Sequence, residues 1–364
     1  MAQKEITGPL ELLGGDGHLV EEGWARQPFW RYDRSKVVAS PLRLKEWDYY
    51  YVLSHDGGYG VTFTMSDLGY LGLFSVAWLD LTSGKAVQSQ DMIILPLGRS
   101  GFSEGSEETE LRHEGPNVTL SFSVRKGERR ITASCPGFVA PDGSKGLEAD
   151  LILVQPPDDD SMNIATSWKE NRKAFYYNRK INCMPASGTV RLGSRSYSFK
   201  PETSFGGLDW GRGVWTYKNR WYWGSASGLL DGVPFGWNIG YGFSDRSPAS
   251  ENMLFYGGRA HKLEEVSFRI PGGSPSAQGF ASARSSSSGT LDYLAPWRFE
   301  SSDGRFEMEF EPIVDRSSST DLLLIKSIQH QTFGYFSGQV ILDDGRPLKV
   351  ERFLGFAEDV LNWW

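Results

Sequence analysis

The densest run of chemically useful side chains lies between Phe205 and Trp223, FGGLDWGRGVWTYKNRWYW. Trp210, Trp215, Trp221 and Trp223 share it with four glycines, the carboxylate of Asp209 and the guanidinium groups of Arg212 and Arg220. Glycine lets a backbone approach closely, and tryptophan offers a broad apolar face with one N–H donor. Asp209 and Arg212 stand three residues apart, a spacing read here as a charge-assisted pair. Two readings compete. Either the pair is a structural clasp with tryptophans packed at the mouth or floor of a barrel, or the run lines a pocket. In the pocket reading Asp209 is an acid or base, and Arg212 sets its pKa or binds an oxyanion. Trp215, Trp221, Trp223 and Asn238 would then contact the ligand.

Other polar residues extend the candidate set. Ile328-Gln329-His330-Gln331 ends an apolar run, so the His330 imidazole can point into a barrel, and histidine alone titrates unperturbed near neutrality. His330 therefore joins Asp209 as a candidate general acid or base, against a structural, hydrogen-bonded role. Glu251-Asn252 opens a strand after a loop, where turn capping competes with ligand contact. Lys180 and Asn182 share one face if residues 180–183 are extended, as a polar pocket wall would require. His55-Asp56 reads as turn chemistry and His261 as solvated. No H-x-H, H-E-x-x-H or spaced carboxylate set suggests a metal. No Walker sequence, G-x-S-x-G or Rossmann glycine pattern is present, so no cofactor is expected. Cys135 and Cys183 lie far apart with no activating motif and read as free, buried thiols.

These side chains need elements to hold them, and the local signal is overwhelmingly β. Val118, Leu120, Phe122 and Val124 alternate with Thr119, Ser121 and Ser123, and Phe306, Met308 and Phe310 alternate with glutamates. Further strands are expected at 47–54, 59–65, 70–80, 91–97, 128–134, 147–155, 234–243, 251–257, 262–270, 320–330, 333–342 and 347–354. Turn signals such as Asp56-Gly57-Gly58, Asp231-Gly232 and Asp344-Gly345 separate them. The C-terminal Ala357–Trp363 reads as the one short helix. Residues 272–290, dominated by Ser, Gly and Ala, read as a mobile loop.

The 364 residues give a prior of two domains or one large β domain. An internal resemblance favours two: the segment from Trp47 (WDYYYVLSHDGGYGVTFTMSD) and that from Trp221 (WYWGSASGLLDGVPFGWNIGYGFSD) share an order of aromatic strand, Gly-rich turn, strand and loop. Each half would close into a barrel, which removes exposed strand edges. The expectation is all-β, with two antiparallel barrels at 1–180 and 181–364 and a linker candidate at Gln155–Ser161. With 38 Lys plus Arg against 45 Asp plus Glu, the net charge is −7 and no basic run exists. Nucleic acid is thus an unsuitable partner. The N-terminus carries charges at Lys4, Glu5, Glu11 and Asp16 with no apolar stretch, and 18 apolar residues never run together. A cytoplasmic protein without a transmembrane segment is expected.

Several stretches carry a family resemblance: Gly23-Trp24-Ala25-Arg26, Lys180-Ile181-Asn182-Cys183-Met184-Pro185, Leu208-Asp209-Trp210-Gly211-Arg212-Gly213, Trp221 to Gly228, Trp237 to Gly242, Glu251-Asn252, Asp303 to Phe306, His330-Gln331 and Gly355-Phe356-Ala357-Glu358. Across essentially its whole length the chain resembles the bacterial family known as domain of unknown function 2804. That family is similar to a lipocalin-like group containing carotenoid 1,2-hydratase, AttH-like proteins and fungal Diels-Alderases. The resemblance implies two lipocalin-like barrels with a ligand space near their junction. Fold does not carry function, and no motif places the hydratase's catalytic residues on positions here.

Three functions follow as expectations. The first is a cofactor-independent enzyme doing hydration, cyclisation or isomerisation on a small organic ligand, with tryptophan faces stabilising cationic character. The second is a carbohydrate-active enzyme, which requires two carboxyl groups about 5 to 10 Å apart. The third is a non-catalytic carrier of an apolar ligand, with a dry cavity and no perturbed titratable group.

Overall fold

A computed structural model describes residues 3–272, 291–322 and 325–363; most of the segment 272–290 therefore lies outside the described residues. The chain forms two curled antiparallel sheets, in keeping with the tandem barrels expected from the alternation and the internal repeat and with the lipocalin-like form that the family resemblance implies. The main path of the first sheet starts with Lys85–Ile94, Leu71–Asp80, Tyr59–Asp67 and Leu44–Ser54, then continues through Ser204–Val214 and Asn171–Leu192 to the hairpins of residues 110–154. The second runs from the hairpin at 253–262 through Val233–Tyr241, Lys218–Leu230, Pro347–Trp363 and Ile325–Ile341 to Phe306–Leu322 and two shorter strands. The chain passes from one sheet to the other at residues 215–217, while residue 180 lies within the Asn171–Leu192 strand of the first sheet.

Each sheet curls around its own apolar core. Tyr50, Phe63, Trp78, Phe122 and Trp210 belong to the first, and Trp237, Trp297, Phe299, Phe310 and Phe336 to the second. A third core, with Tyr51, Leu53, Val314, Phe333 and Phe356, glues the sheets together. Side chains alternate across a strand, so strands between a barrel core and this junction are apolar on both faces. That explains the burial of every residue of Ser204–Val214.

The internal repeat maps onto two equivalent meanders, 44–80 in the first sheet and 218–256 in the second. Equivalent aromatic pairs, Trp47 with Tyr49 and Trp221 with Trp223, thereby reach the same inter-sheet space. Cross-strand register lays Lys180, Asp209, Tyr49, Thr64, Ser75 and Gln90 in one row across the first sheet. On the second, Trp223, Glu358, Gln331 and Arg316 form the facing row.

One glycine in this arrangement has a specific task. Gly211 pairs with Trp47 across the strands, and a Cβ on it would stand 2.0 Å from the Trp47 ring. That ring is fixed edge-on to Trp215 and stacked on Tyr176, so it cannot easily yield. Gly211→Ala is expected to destabilise the fold by about 1–3 kcal/mol. A matching shift of tryptophan emission is expected as Trp47 is displaced; an unchanged melting temperature and spectrum would contradict this.

Two local expectations are corrected. Ala357–Trp363 is the end of the long Pro347–Trp363 strand, paired on both sides. Its Ala, Glu and Leu favour a helix locally, but burial between two strands overrides propensity. The expected single strand 320–330 is instead divided between two antiparallel strands, Phe306–Leu322 and Ile325–Ile341, which pair with each other.

Candidate functional site

Between the two sheets lies a cavity of about 760 Å³. Its walls are the facing rows, and the strand period of two stacks them in layers. Above Tyr49, Trp223, Glu358, Gln331 and Arg316 come Trp47, Trp221, Val360, Gln329 and Ser318, and then Asn362, Ser327 and Thr320. The inter-sheet core closes the floor below Tyr49 and Trp223. Exposure rises from 1% at Gln331 on the floor to 60% at Met92 near the mouth, so charge is collected where water is scarcest.

The floor is built around one ammonium. Lys180 Nζ lies 2.9 Å from Asp209 Oδ1, 3.7 Å from Glu251 Oε2 and 4.1 Å from the centre of a Trp223 ring. Each neighbour is itself held. Asn178 Nδ2 donates to Asp209 Oδ1 at 2.6 Å. Trp223 Nε1 donates to Asn238 Oδ1 at 2.7 Å, and Asn238 Nδ2 donates to the Glu251 carbonyl at 2.8 Å. Burial pushes the Glu251 carboxyl above its ordinary range, against the pull of Lys180, and Asp209 adds to the rise.

Beside this group stands Glu358, 4% exposed. Its Oε1 accepts from Trp221 Nε1 at 2.9 Å and its Oε2 from Gln331 Nε2 at 3.1 Å, while Tyr49 OH donates to Gln331 Oε1 at 3.2 Å. Burial raises this carboxyl to about 7, with the Trp221 hydrogen bond and Lys180 opposing and Asp209 adding to the rise. Both of its oxygens receive hydrogen bonds from neutral donors, and the residue lines the cavity. A carboxyl half-protonated at neutral pH and placed this way has the properties of a general acid.

An aromatic wall adjoins the carboxyls. Trp215 packs edge-on against Trp47, Tyr176 and Trp221 and stacks on Phe243, with ring centres 5.1–5.9 Å apart. Toward the mouth Lys45 donates to the carbonyls of Leu42 and Leu68 at 3.2 and 2.6 Å, and burial lowers its amine to about 7. Among the described residues no group of three His, Cys, Asp or Glu side chains is arranged to hold a metal.

The model of the family described as domain of unknown function DUF2804 matches residues 3–364. The chain belongs to this family. The comparison with curated proteins finds no relative by sequence. Among solved structures, this DUF2804 protein is similar to a protein described as AttH from Nitrosomonas europaea, with 14% identity and a TM-score of 0.52, covering 87% of this chain and 92% of that one. Kievitone hydratase from Nectria haematococca follows at 12% identity and a TM-score of 0.45, with 88% of each chain covered. The first likeness shows the shared fold.

The candidates singled out in the sequence of this DUF2804 protein are distributed as follows. Asp209, Trp215, Trp221, Trp223 and Glu251 all line the cavity. Asn238 lies fully buried behind Trp223 and orients it together with Glu251. Asn182 lies outside the lining and ties the sheets together, its Nδ2 donating to Ser225 Oγ at 2.8 Å and to the Trp237 carbonyl at 2.9 Å. The expected Asp209–Arg212 pair does not form. Residues three apart on a strand point to opposite faces, so Arg212 is buried in the first barrel, its Nη1 3.0 Å from Asp48 Oδ1. Its place beside Asp209 is taken by Lys180, across the strands. His330 likewise faces away from the cavity between its lining neighbours Gln329 and Gln331, with Nδ1 2.7 Å from Asp315 Oδ2 and its ring stacked on Tyr293. Glu358, Gln331, Tyr49 and Tyr176 were not singled out; reading residues 356–363 as extended would have placed Glu358, Val360 and Asn362 on one face.

Proposed function

We propose that this protein is a cofactor-independent enzyme performing acid/base chemistry, of hydratase, cyclase or isomerase type, on a small organic molecule in the inter-sheet cavity. The observation that carries this reading is Glu358, a buried carboxyl whose oxygens accept only from neutral donors in a cavity walled by aromatic rings. In the scheme Glu358 gives its proton to an alkene or enol carbon, and the resulting cation is stabilised by the faces of Trp215, Trp221 and Trp223. Asp209 or Glu251 then takes a proton, either from a water that adds to the cation or from the carbon beside it. The first outcome is hydration and the second isomerisation, and each returns the proton count to zero once Glu358 is reloaded.

A second reading, a glycoside hydrolase, draws on Asp209 and Glu251 as its pair of carboxyls, since both adjoin the Lys180 ammonium on the cavity floor. Against a simple carrier stand four carboxyl groups in the lining, Asp209, Glu251, Asp315 and Glu358, with Glu251 and Glu358 shifted upward by burial. The readings separate in deuterium oxide. Native mass spectrometry identifies the co-purifying ligand, and incubation with alkenes and enols of that class should place one deuterium on carbon per turnover. Release of reducing sugar from a glycoside panel, with no deuterium on carbon, would reject the first reading in favour of the second.

A further inference from the structure

We propose that the molecule bound in this cavity carries a carboxylate and that Arg316 is the group that receives it. The inference rests on the cavity being the substrate site and adds the chemical class of the substrate. Arg316 is the one guanidinium among the described residues lining the cavity. Its Nη1 donates to Thr62 Oγ1 at 3.0 Å and to Gln88 Oε1 at 3.2 Å, so two neutral oxygens of the opposite sheet fix it across the floor. No carboxylate among the described residues lies within ion-pair distance of it. Neighbouring Asp315 is occupied by His330. The contrast is with Lys180, which holds Asp209 and Glu251, and with Arg212 and Arg220, held by Asp48 and Asp359.

A half-buried guanidinium bound only to neutral acceptors keeps its charge uncompensated and its remaining N–H donors available. Its planar fork matches a carboxylate. The position is also informative. Arg316, Gln331 and Glu358 are direct cross-strand neighbours in sequence across three strands. The anion site and the proton donor are therefore separated by two strand spacings, about 10 Å at the backbone. The walls above carry neutral hydroxyls and amides, such as Thr64, Ser66, Gln90 and Ser318, with Leu71, Leu73 and Met92 toward the mouth. The ligand this describes is amphipathic: an anionic end on Arg316, a reactive carbon beside Glu358 and an apolar remainder toward the opening.

Four tryptophans line the cavity, so binding can be followed by their emission in the full chain. Dodecanoate, methyl dodecanoate and dodecyl phosphate are titrated into the wild type, Arg316→Gln, Arg316→Lys and Glu358→Gln. The wild type should bind dodecanoate roughly ten-fold or more tightly than the methyl ester. Arg316→Gln should bring the two affinities together without weakening the ester, which also shows that the variant is folded, and Arg316→Lys should keep part of the preference. Glu358→Gln should keep the preference whole, so loss of turnover there tests the acid chemistry separately. Equal binding of acid and ester by the wild type, no binding of the acid, or a preference that survives Arg316→Gln would overturn the proposal. A tighter, Arg316-dependent grip on dodecyl phosphate would overturn the carboxylate assignment in favour of a phosphate.

Discussion

Glu358→Gln is expected to lower turnover by about 10² to 10⁴-fold, the usual contribution of a general acid, while making the protein more stable above neutral pH. The two effects share one cause. In the folded state burial holds the carboxyl at about 7 against an ordinary 4.5, even though Trp221 and Lys180 pull it down. The folded state therefore binds more protons than the unfolded chain between these values, so stability falls as pH rises from about 4.5 to 7. Above pH 7 the buried charge costs on the order of 3 kcal/mol, a penalty that glutamine does not incur. The wild type should show a rate that declines as pH rises through about 7, when Glu358 loses its proton. Lys180, Asp209 and Arg316 are the charged groups that bear on this titration. The melting temperature of Glu358→Gln should rise relative to the wild type between pH 5 and pH 8. His330→Ala, on the opposite face of its strand, should retain both rate and pH profile. A Glu358→Gln variant with full turnover, or with a constant stability difference across that range, would remove Glu358 from the role.

How much of this was legible in the sequence depended on whether a signal was local. Alternation such as Val118 to Val124 is local, because one buried face imposes it, and the barrels follow from it. The tryptophan run was legible for a related reason: residues 215, 221 and 223 lie close in sequence and all reach the same inter-sheet space. What failed was pairing. Asp209 and Arg212 look like partners when counted along the chain, but an extended backbone sends them to different cores. The true partner, Lys180, is 29 positions earlier and is set by register, which a list of residue types does not contain. Glu358 was hidden by local preference, since Ala-Glu-Asp-Val-Leu is good helix sequence and becomes a strand only because two neighbours pair with it.

The dependence on cross-strand pairing makes Lys180 the residue whose loss should be felt most in stability. Lys180→Met removes the cation shared by Asp209 and Glu251, both of which are almost wholly buried. Removing one partner of a buried ionic group typically costs 3–5 kcal/mol, since the remaining charge keeps its desolvation penalty. For a chain of this length that corresponds to a melting temperature lower by roughly 5 °C. The sign of the pH dependence follows from the same balance. Lys180 is the main influence lowering the Glu251 carboxyl, so without it that carboxyl takes up a proton at higher pH and sheds its charge. The deficit should accordingly be largest near pH 8 and shrink toward pH 5. Adding Asp209→Asn to Lys180→Met should restore part of the loss at pH 8, because one of the two stranded charges is then gone. The pair would be non-additive, as contacting groups usually are. If calorimetry instead finds the same deficit at both pH values, Lys180 acts through packing of its stem on Trp223, and the charge balance at the cavity floor would have to be assigned to other groups.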